Sequence, residues 1–374
     1  MKKTIYKYLF YEFIKYFTAS LFALSAIVWT VQTVNFLDLI TEDGHAVGVY
    51  FLYSLLILSK VLTKLIPFCF LIATALTINK LEKDNELIAL WTSGLNKIHI
   101  VNHLVRVSIL IMLIQLILLT LVNPALLNLS RTLLKNSELK FISSMFKEKQ
   151  FNDTVSGLTI FVDKKDENKN FKNIFIRDES TVLSSVGAKS STIFAKKGYI
   201  SDNEKFLTLF DGNIQRLSQD GSLSVIKFEK TVLNLSGITT KSITEPKMQE
   251  TPTVDIITCM LGKNSSMHNC NSTKKTLMDI KIEINKRFGM PFYIPLIGLV
   301  CCFLLESRKD KKNYHLKRYI YLFIGFLILA MAEVSVRYSG VSLNHTLTYY
   351  LLPIGMIPIF YLSLIRKFKY ENLH

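Results

Sequence analysis

The sequence predicts a membrane α-helical protein: six transmembrane helices in a 3+3 order, with an all-β, jelly-roll-like domain inserted on the outer side. Three observations predict it. Six apolar stretches reach the roughly 20 residues that a helix needs to cross about 30 Å of hydrocarbon. Between the third and the fourth, long apolar runs give way to short alternating ones. Lysine and arginine crowd the ends of the apolar stretches instead of spreading over one polar surface.

Composition agrees. The chain has 374 residues, 49% of them hydrophobic and 20% charged. Its mean hydropathy is +0.29, which suits a membrane protein with a sizeable water-exposed part better than one soluble domain. The net charge of +16 admits nucleic acid or a membrane surface as partner. The cations flank apolar spans, which favours the membrane.

In order, the spans are Phe10–Val34, Val49–Asn79, Ile98–Val122, Phe288–Leu305, Tyr319–Val336 and Thr346–Ile365. The first is too long for a secretory signal and reads as an anchor. Lys2, Lys3 and Lys7 among Ile5, Tyr6 and Leu9 suit an interfacial helix before it. Orientation follows from the short connections. Arg308, Lys309, Lys311, Lys312, Lys317 and Arg318 lie between spans four and five, and Arg366, Lys367 and Lys369 follow span six. Asn35–Gly48 has no Lys or Arg. Both termini are therefore predicted to be cytoplasmic, and the large insertion external.

The connection between spans two and three, Leu81–Lys97, does not look like a loop. Leu87, Ile88, Leu90, Trp91 and Leu95 fall near a helical period, with Glu82, Asp84 and Glu86 clustered at the start. Ser93-Gly94 supplies a stop. A short amphipathic helix here has an apolar face, Leu87, Leu90 and Trp91, to dock on a cytosolic partner, and Glu86 is placed to pair with a partner's arginine.

In the insertion, 123–287, Leu126–Lys149 reads as helical. Leu158, Ile160 and Val162 then alternate with Thr159, Phe161 and Asp163. Phe171–Arg177, Ser191–Ala195 and Phe206–Phe210 are further strands and Leu223–Leu235 gives one or two more, with Asp211-Gly212 and Asp220-Gly221 as hairpin turn signals. Ser236–Thr273 reads as a linker with little structure, and Thr276–Arg287 as a helix feeding span four. The chain thus divides into spans one to three over 1–122 with the element 81–97, the external β domain and its linkers over 123–287, and spans four to six over 288–374.

Three pairs of polar residues in or beside the spans carry a functional reading beside a plain one. Lys60 and Lys64 share one face toward the outer end of span two, where they would hold phosphates or carboxylates; the plain reading is snorkelling, since Val49–Asn79 makes a helix of about 46 Å. Glu333 and Arg337 near the outer end of span five are spaced to pair with each other. His99 and His103 are spaced for a metal but lack carboxylate or cysteine company, so an interfacial helix face is the better reading.

The search for catalysis is otherwise negative: no phosphate-binding GxxxxGK[ST], HExxH, GxSxG or paired CxxC occurs. Cys69, Cys301 and Cys302 read as apolar filler. Cys259 and Cys270 lie in the external segment, where they are either bonded or free.

The order of these elements resembles the LptF/LptG (YjgP/YjgQ) family, the permeases of the lipopolysaccharide export ABC transporter. Lys83-Asp84-Asn85-Glu86 followed by Leu87–Gly94 resembles the family's coupling helix, with Glu86 at its acidic position and Gly94 at its closing glycine. Leu158–Ile176 and Phe206–Glu229 resemble hairpins of its periplasmic domain, and Glu283 with Arg287 matches a pair before span four. Lys60, seven residues before Pro67, resembles a substrate-contacting lysine of the LptG branch, while the hairpins lean toward LptF. Gln32–Leu37 lacks the basic residues usual there in LptF.

The resemblance implies a site assignment: Asp84, Glu86, Leu87, Leu90, Trp91 and Gly94 couple to the ATPase, Lys60 and Lys64 contact substrate, and Glu333 with Arg337 forms a gate salt bridge. It implies an inner-membrane location, a second LptF/LptG-type permease, a cytosolic LptB-like ATPase dimer, an LptC-like protein joined by β-strand pairing, and lipopolysaccharide as cargo. This chain would bind no cofactor, ATP and Mg²⁺ belonging to the ATPase. Two other readings stand beside it: a permease-like subunit that transmits force without moving lipid, and a membrane-tethered periplasmic enzyme.

Overall fold

The computed structural model describes residues 2–41, 46–137, 146, 148–155, 157–166, 170–179, 188–201, 206–218, 222–235, 247–262, 270, 274–306 and 314–371. Its helices are α1 (Lys2–Asn35), α2 (Asp38–Thr41), α3 (Val47–Lys83), α4 (Glu86–Thr92), α5 (Lys97–Ile117), α6 (Asn123–Ser137), α7 (Thr253–Met260), α8 (Lys274–Gly289), α9 (Tyr293–Cys302), α10 (Tyr314–Tyr338) and α11 (Leu343–Glu371). Six are long and apolar enough to cross a membrane: Lys3–Asn35, Val47–Lys83, Lys97–Lys135, Lys275–Leu305, Leu316–Tyr338 and Leu343–Lys369. Each outruns its predicted apolar stretch because the polar flanks continue the helix.

The chain forms two compact units: Met1–Thr30 with Ile57–Asn128 and Lys247–His374, and Val31–Leu56 with Leu129–Pro246. The first is organised around span four. Of its apolar window 78% is buried, against 11% for span one. The reason is local. Every residue of α9, YIPLIGLVCC, is buried, and Gly298 lets Ser108 of α5 and Phe70 of α3 approach closely. The remaining spans keep large apolar side chains outward, among them Phe22, Ile27, Ile354 and Leu362. In water that would be costly; in lipid it is the expected solvent face.

Span three contains a π turn, Leu118–Val122, before α6. Pro124 accounts for part of it: proline has no N–H to donate to the carbonyl of Thr120, four residues back. That carbonyl instead accepts the hydroxyl of Thr253 at the start of α7. So a residue in the predicted linker closes a gap in a transmembrane helix. The described part of that predicted linker, 247–262 and 270, is correspondingly more ordered than the sequence suggested. Met248–Glu250 makes a 3₁₀ turn and α7 packs on α8 through Ile256, Cys259, Ile280 and Ile284. Cys259 and Cys270 are disulfide-bonded.

The second unit carries a single antiparallel sheet of six strands in consecutive order: β1 (Phe151–Val155), β2 (Leu158–Lys165), β3 (Asn170–Asp178), β4 (Ala188–Ile200), β5 (Phe206–Ser218) and β6 (Leu223–Asn234). Asp211-Gly212 is not a hairpin turn, as its sequence signalled, but lies inside β5. Asp211 has φ 51°, yet the register runs on from Phe210↔Lys230 to Gly212↔Phe228 without a slip. Asn173 in β3, φ 51°, sits at the same level; both face the gap in β4 around Lys196. Left-handed residues in alternate strands at one level crease the sheet. The buried positions confirm it: inward residues step by three across that level, as in Phe171–Ile174 and Ala195–Gly198, and by two on either side. The inner face therefore stays inner on both halves, which share one core of Phe171, Ile200, Leu207 and Leu209 with Ile160, Val162, Ile176 and Ile193. At Gly212 the strands come so close that a Cβ would collide with the Phe194 carbonyl. Asp220-Gly221 lies outside the described residues.

Candidate functional site

Among the described residues of the first unit, two of the polar clusters are candidates for function. One is a cleft at the middle of α3. Lys60, Lys64, Thr63, Asn123, Gln249, Glu283, Lys286 and Arg287 line its polar part. It adjoins a space of about 250 Å³ walled by Pro67, Phe68, Leu119, Met290 and Leu329, with Lys64, Lys286 and Glu333 also present. Lys64 is exposed and Lys60 half-buried. Polar groups within the spans anchor the floor: Asn123 donates to Thr63 Oγ1 (3.2 Å) and accepts from Ser59 (2.8 Å), and Gln115 donates to the Thr63 carbonyl (3.2 Å). Cations beside an apolar wall suit an anionic amphiphile.

Arg287 forms one edge of the cleft but points into the protein. It is 1% exposed. Its Nε donates to Glu283 (3.0 Å), Nη1 to Thr253 Oγ1 (2.8 Å), and Nη2 to the carbonyls of Met248 (3.1 Å) and Gln249 (3.3 Å). The Glu283–Arg287 pair read in the sequence therefore forms, as a brace. Through Thr253 it joins α8, the turn 248–250 and the π turn of span three.

The Glu333–Arg337 pair does not form among the described residues. Arg337 is exposed, whereas Glu333 lines the cleft with Lys64 and Lys286. The spacing permits the pair, as Glu283 and Arg287 show at the same separation, so spacing alone did not decide it. Lys286 was missed in the sequence because it sits among ordinary helix charges. Its signal was its place two residues before the apolar start of span four.

The other place is α4. Asn85, φ 58°, ends α3 in a left-handed turn, and Asn tolerates this conformation better than most residues. At the far end Gly94, φ 79°, closes a Schellman motif: its N–H meets the Trp91 carbonyl (3.1 Å) and that of Leu95 meets Leu90 (3.1 Å). Leu87 is buried, and Leu90 and Trp91 are half-buried, in a core with Leu9, Leu81 and Phe368. The predicted docking face is thus turned inward, onto this chain's own spans. A seven-residue helix has little stability of its own, and this packing supplies it. What α4 leaves outward is Ile88, Ala89 and Thr92, with Asp84 before it.

Glu86 is part-exposed and tied to two other helices. Tyr8 Oη donates to its carboxylate (2.9 and 2.8 Å to the two oxygens). Lys80 lies 3.7 Å from Glu86, 3.2 Å from Glu12, and donates to Tyr8 Oη (3.0 Å). Nearby, Arg318 of α10 pairs with Glu82 at 2.9 Å. His103 stacks on Tyr6, and among the described residues no three His, Cys, Asp or Glu side chains gather as metal ligands.

The family model described as "Lipopolysaccharide export system permease LptF/LptG" matches residues 7–367. The chain is also similar to "Uncharacterized protein RP871" of Rickettsia prowazekii (strain Madrid E), 29% identical over 233 residues, which is 61% of this chain and 62% of that protein. The match thus spans less than two thirds of that relative's length.

Proposed function

This chain belongs to the LptF/LptG family of lipopolysaccharide export permeases, and from that premise we propose that it is one permease subunit of an ABC transporter that extracts lipopolysaccharide from the inner membrane and passes it through a periplasmic β domain toward the outer membrane. It is a multi-pass inner-membrane protein of a permease family. ATP and Mg²⁺ are bound by a separate LptB-like cytosolic ATPase dimer, and a second LptF/LptG-type permease completes the membrane part.

The observation that carries the reading is the cleft. Lys60, Lys64 and Lys286 stand beside an apolar wall of Pro67, Phe68, Met290 and Leu329. A lipid with phosphates on its head and hydrocarbon behind it matches both parts. Glu333 in the same wall balances part of the charge, so that held lipid can also leave. Two observations support an orientation with both termini cytoplasmic. Lys and Arg concentrate on that side, and the Cys259–Cys270 disulfide suits an oxidising compartment on the other. The edge strands β1 and β6 are where an LptC-like protein adds its own strand. Asp84 and Glu86 meet the ATPase; Leu87, Leu90, Trp91 and Gly94 hold them in place.

The test is purification of the tagged chain from its native membrane in mild detergent, with mass spectrometry and an ATPase assay, beside Glu86→Ala. Co-purified ATPase, a second six-span permease and lipopolysaccharide, with hydrolysis or assembly lost in the variant, is the expected result. ATPase and permease without lipid in either preparation would favour a subunit that transmits force alone. A chain with neither would remove the transporter reading.

A further inference from the structure

Glu86 sits on a helix too short to fix a side chain by itself. A glutamate has three rotatable bonds, and ordering it against a partner costs conformational entropy unless something has already ordered it. Here α1 and α3 do so. Tyr8 Oη reaches both carboxylate oxygens at 2.9 and 2.8 Å. Lys80 donates to the same hydroxyl at 3.0 Å, so that hydroxyl accepts from Lys80 and gives its proton to Glu86. The lysine also lies over the Tyr8 ring, 5.4 Å from its centroid. It is pinned from behind by Glu12 at 3.2 Å, whose side chain is only 9% exposed.

The charges within this cluster do not cancel. Glu12 and Glu86 carry two negative charges, and Lys80 carries one positive. Glu12 takes the shorter contact with Lys80, 3.2 Å against 3.7 Å for Glu86. The surplus negative charge therefore resides on Glu86, the more exposed carboxylate at 31%. It is oriented by a neutral hydroxyl that leaves its charge available to a cation from outside.

We propose that Tyr8 and Lys80 are positioning residues for the coupling glutamate: the first turns of α1 aim Glu86 at a cationic side chain of the ATPase. This rests on the coupling role given to Glu86 above. Motion of α4 would consequently load span one through Tyr8 and span two through Lys80.

The experiment is a double-mutant cycle on the complex purified with the full-length tagged chain, using Tyr8→Phe, Glu86→Ala and both. ATPase retained, hydrolysis rate and thermal stability are read for each. Tyr8→Phe removes one oxygen and keeps the ring. The expected result is a loss of rate or retained ATPase of about fivefold, with an unchanged melting temperature and no further loss when added to Glu86→Ala. Lys80→Arg keeps most of the wild-type rate, and Lys80→Met behaves like Tyr8→Phe. Four results would overturn the proposal. Tyr8→Phe matching the wild type is one. An equal loss when Tyr8→Phe is added to Glu86→Ala is another, since that marks a merely structural tyrosine. A faster rate in Tyr8→Phe is the third, because the contact would then be a restraint. If Glu86→Ala itself changes nothing, the coupling reading falls and this inference with it; in the first three cases only the inference falls.

Discussion

The ion cluster around Arg287 lies beside the middle of α3 and the one around Glu86 at its C-terminal end, and they are built differently. About 30 Å of helix separates Lys60, beside the first, from Lys80 in the second. Arg287 is 1% exposed, and its acceptors all belong to this chain. Glu86 is 31% exposed and keeps a surplus charge. A buried ion whose every partner is internal holds structure together. A part-exposed ion that is oriented but not neutralised is set up to meet something else. The difference lies in burial and in who supplies the partners, not in residue type.

The sharpest way to break this comparison is Arg287→Met. It leaves Glu283, Thr253 and the carbonyls of Met248 and Gln249 without their donor in a buried site. The expected cost is about 3–5 kcal/mol, seen as a large fall in melting temperature and yield. Arg287→Lys does not rescue it, since one ammonium cannot span acceptors on three segments. A stable Arg287→Met protein would mean that the brace holds nothing.

Next in size is Cys259→Ser. The bond ties Cys259 of α7 to Cys270, at a sequence separation of 11, so its loss is expected to cost about 2–3 kcal/mol. A reductant should lower the melting temperature of the wild type and leave the variant unmoved. Gly289→Ala follows, at about 1–3 kcal/mol. A Cβ there meets the buried Tyr349 ring, whose neighbour Tyr293 donates to the Tyr349 carbonyl at 2.9 Å. Neither change touches the Glu86 end, so both should lower stability without altering the ratio of ATPase retained to chain recovered.

Much of the fold was legible because hydrophobic period is a local signal. The six spans, the inserted strands and the helix α8 were each visible within about 20 residues of sequence. The crease was not, although it has a signal: apolar positions three apart, Phe171 and Ile174, in a strand that otherwise alternates. It was hidden because Asp211-Gly212 has the composition of a turn, and only the register shows the strand continuing. The site was legible where it is local, as with Lys60 and Lys64 on one helix face. Tyr8 with Glu86, and Thr253 with Thr120, were not, because they join segments 78 and 133 residues apart. The direction of α4's apolar face was misjudged for a related reason. An amphipathic period says that one face docks, not on what.

Lys64 tests the cleft and sharpens the comparison from its third side. It is exposed, lines the apolar wall beside Lys286 and Glu333, and carries no structural brace. Lys64→Ala is therefore expected to move stability by no more than about 0.5 kcal/mol. If the cleft holds phosphates, lipopolysaccharide retained per chain should fall severalfold, and the loss should shrink in high salt, where the wild type is weakened too. Lipid extraction with mass spectrometry at two salt concentrations reads both effects, with a zwitterionic phospholipid as the internal control. Lys60→Ala should act in the same direction but respond less to salt, because Lys60 is half-buried. Equal retention of lipopolysaccharide in both variants would make these lysines snorkelling side chains and move the search for the lipid contact to Lys286. A fall in stability matching that of Arg287→Met would place Lys64 with the brace, and the distinction between internal and outward ions would lose its best example.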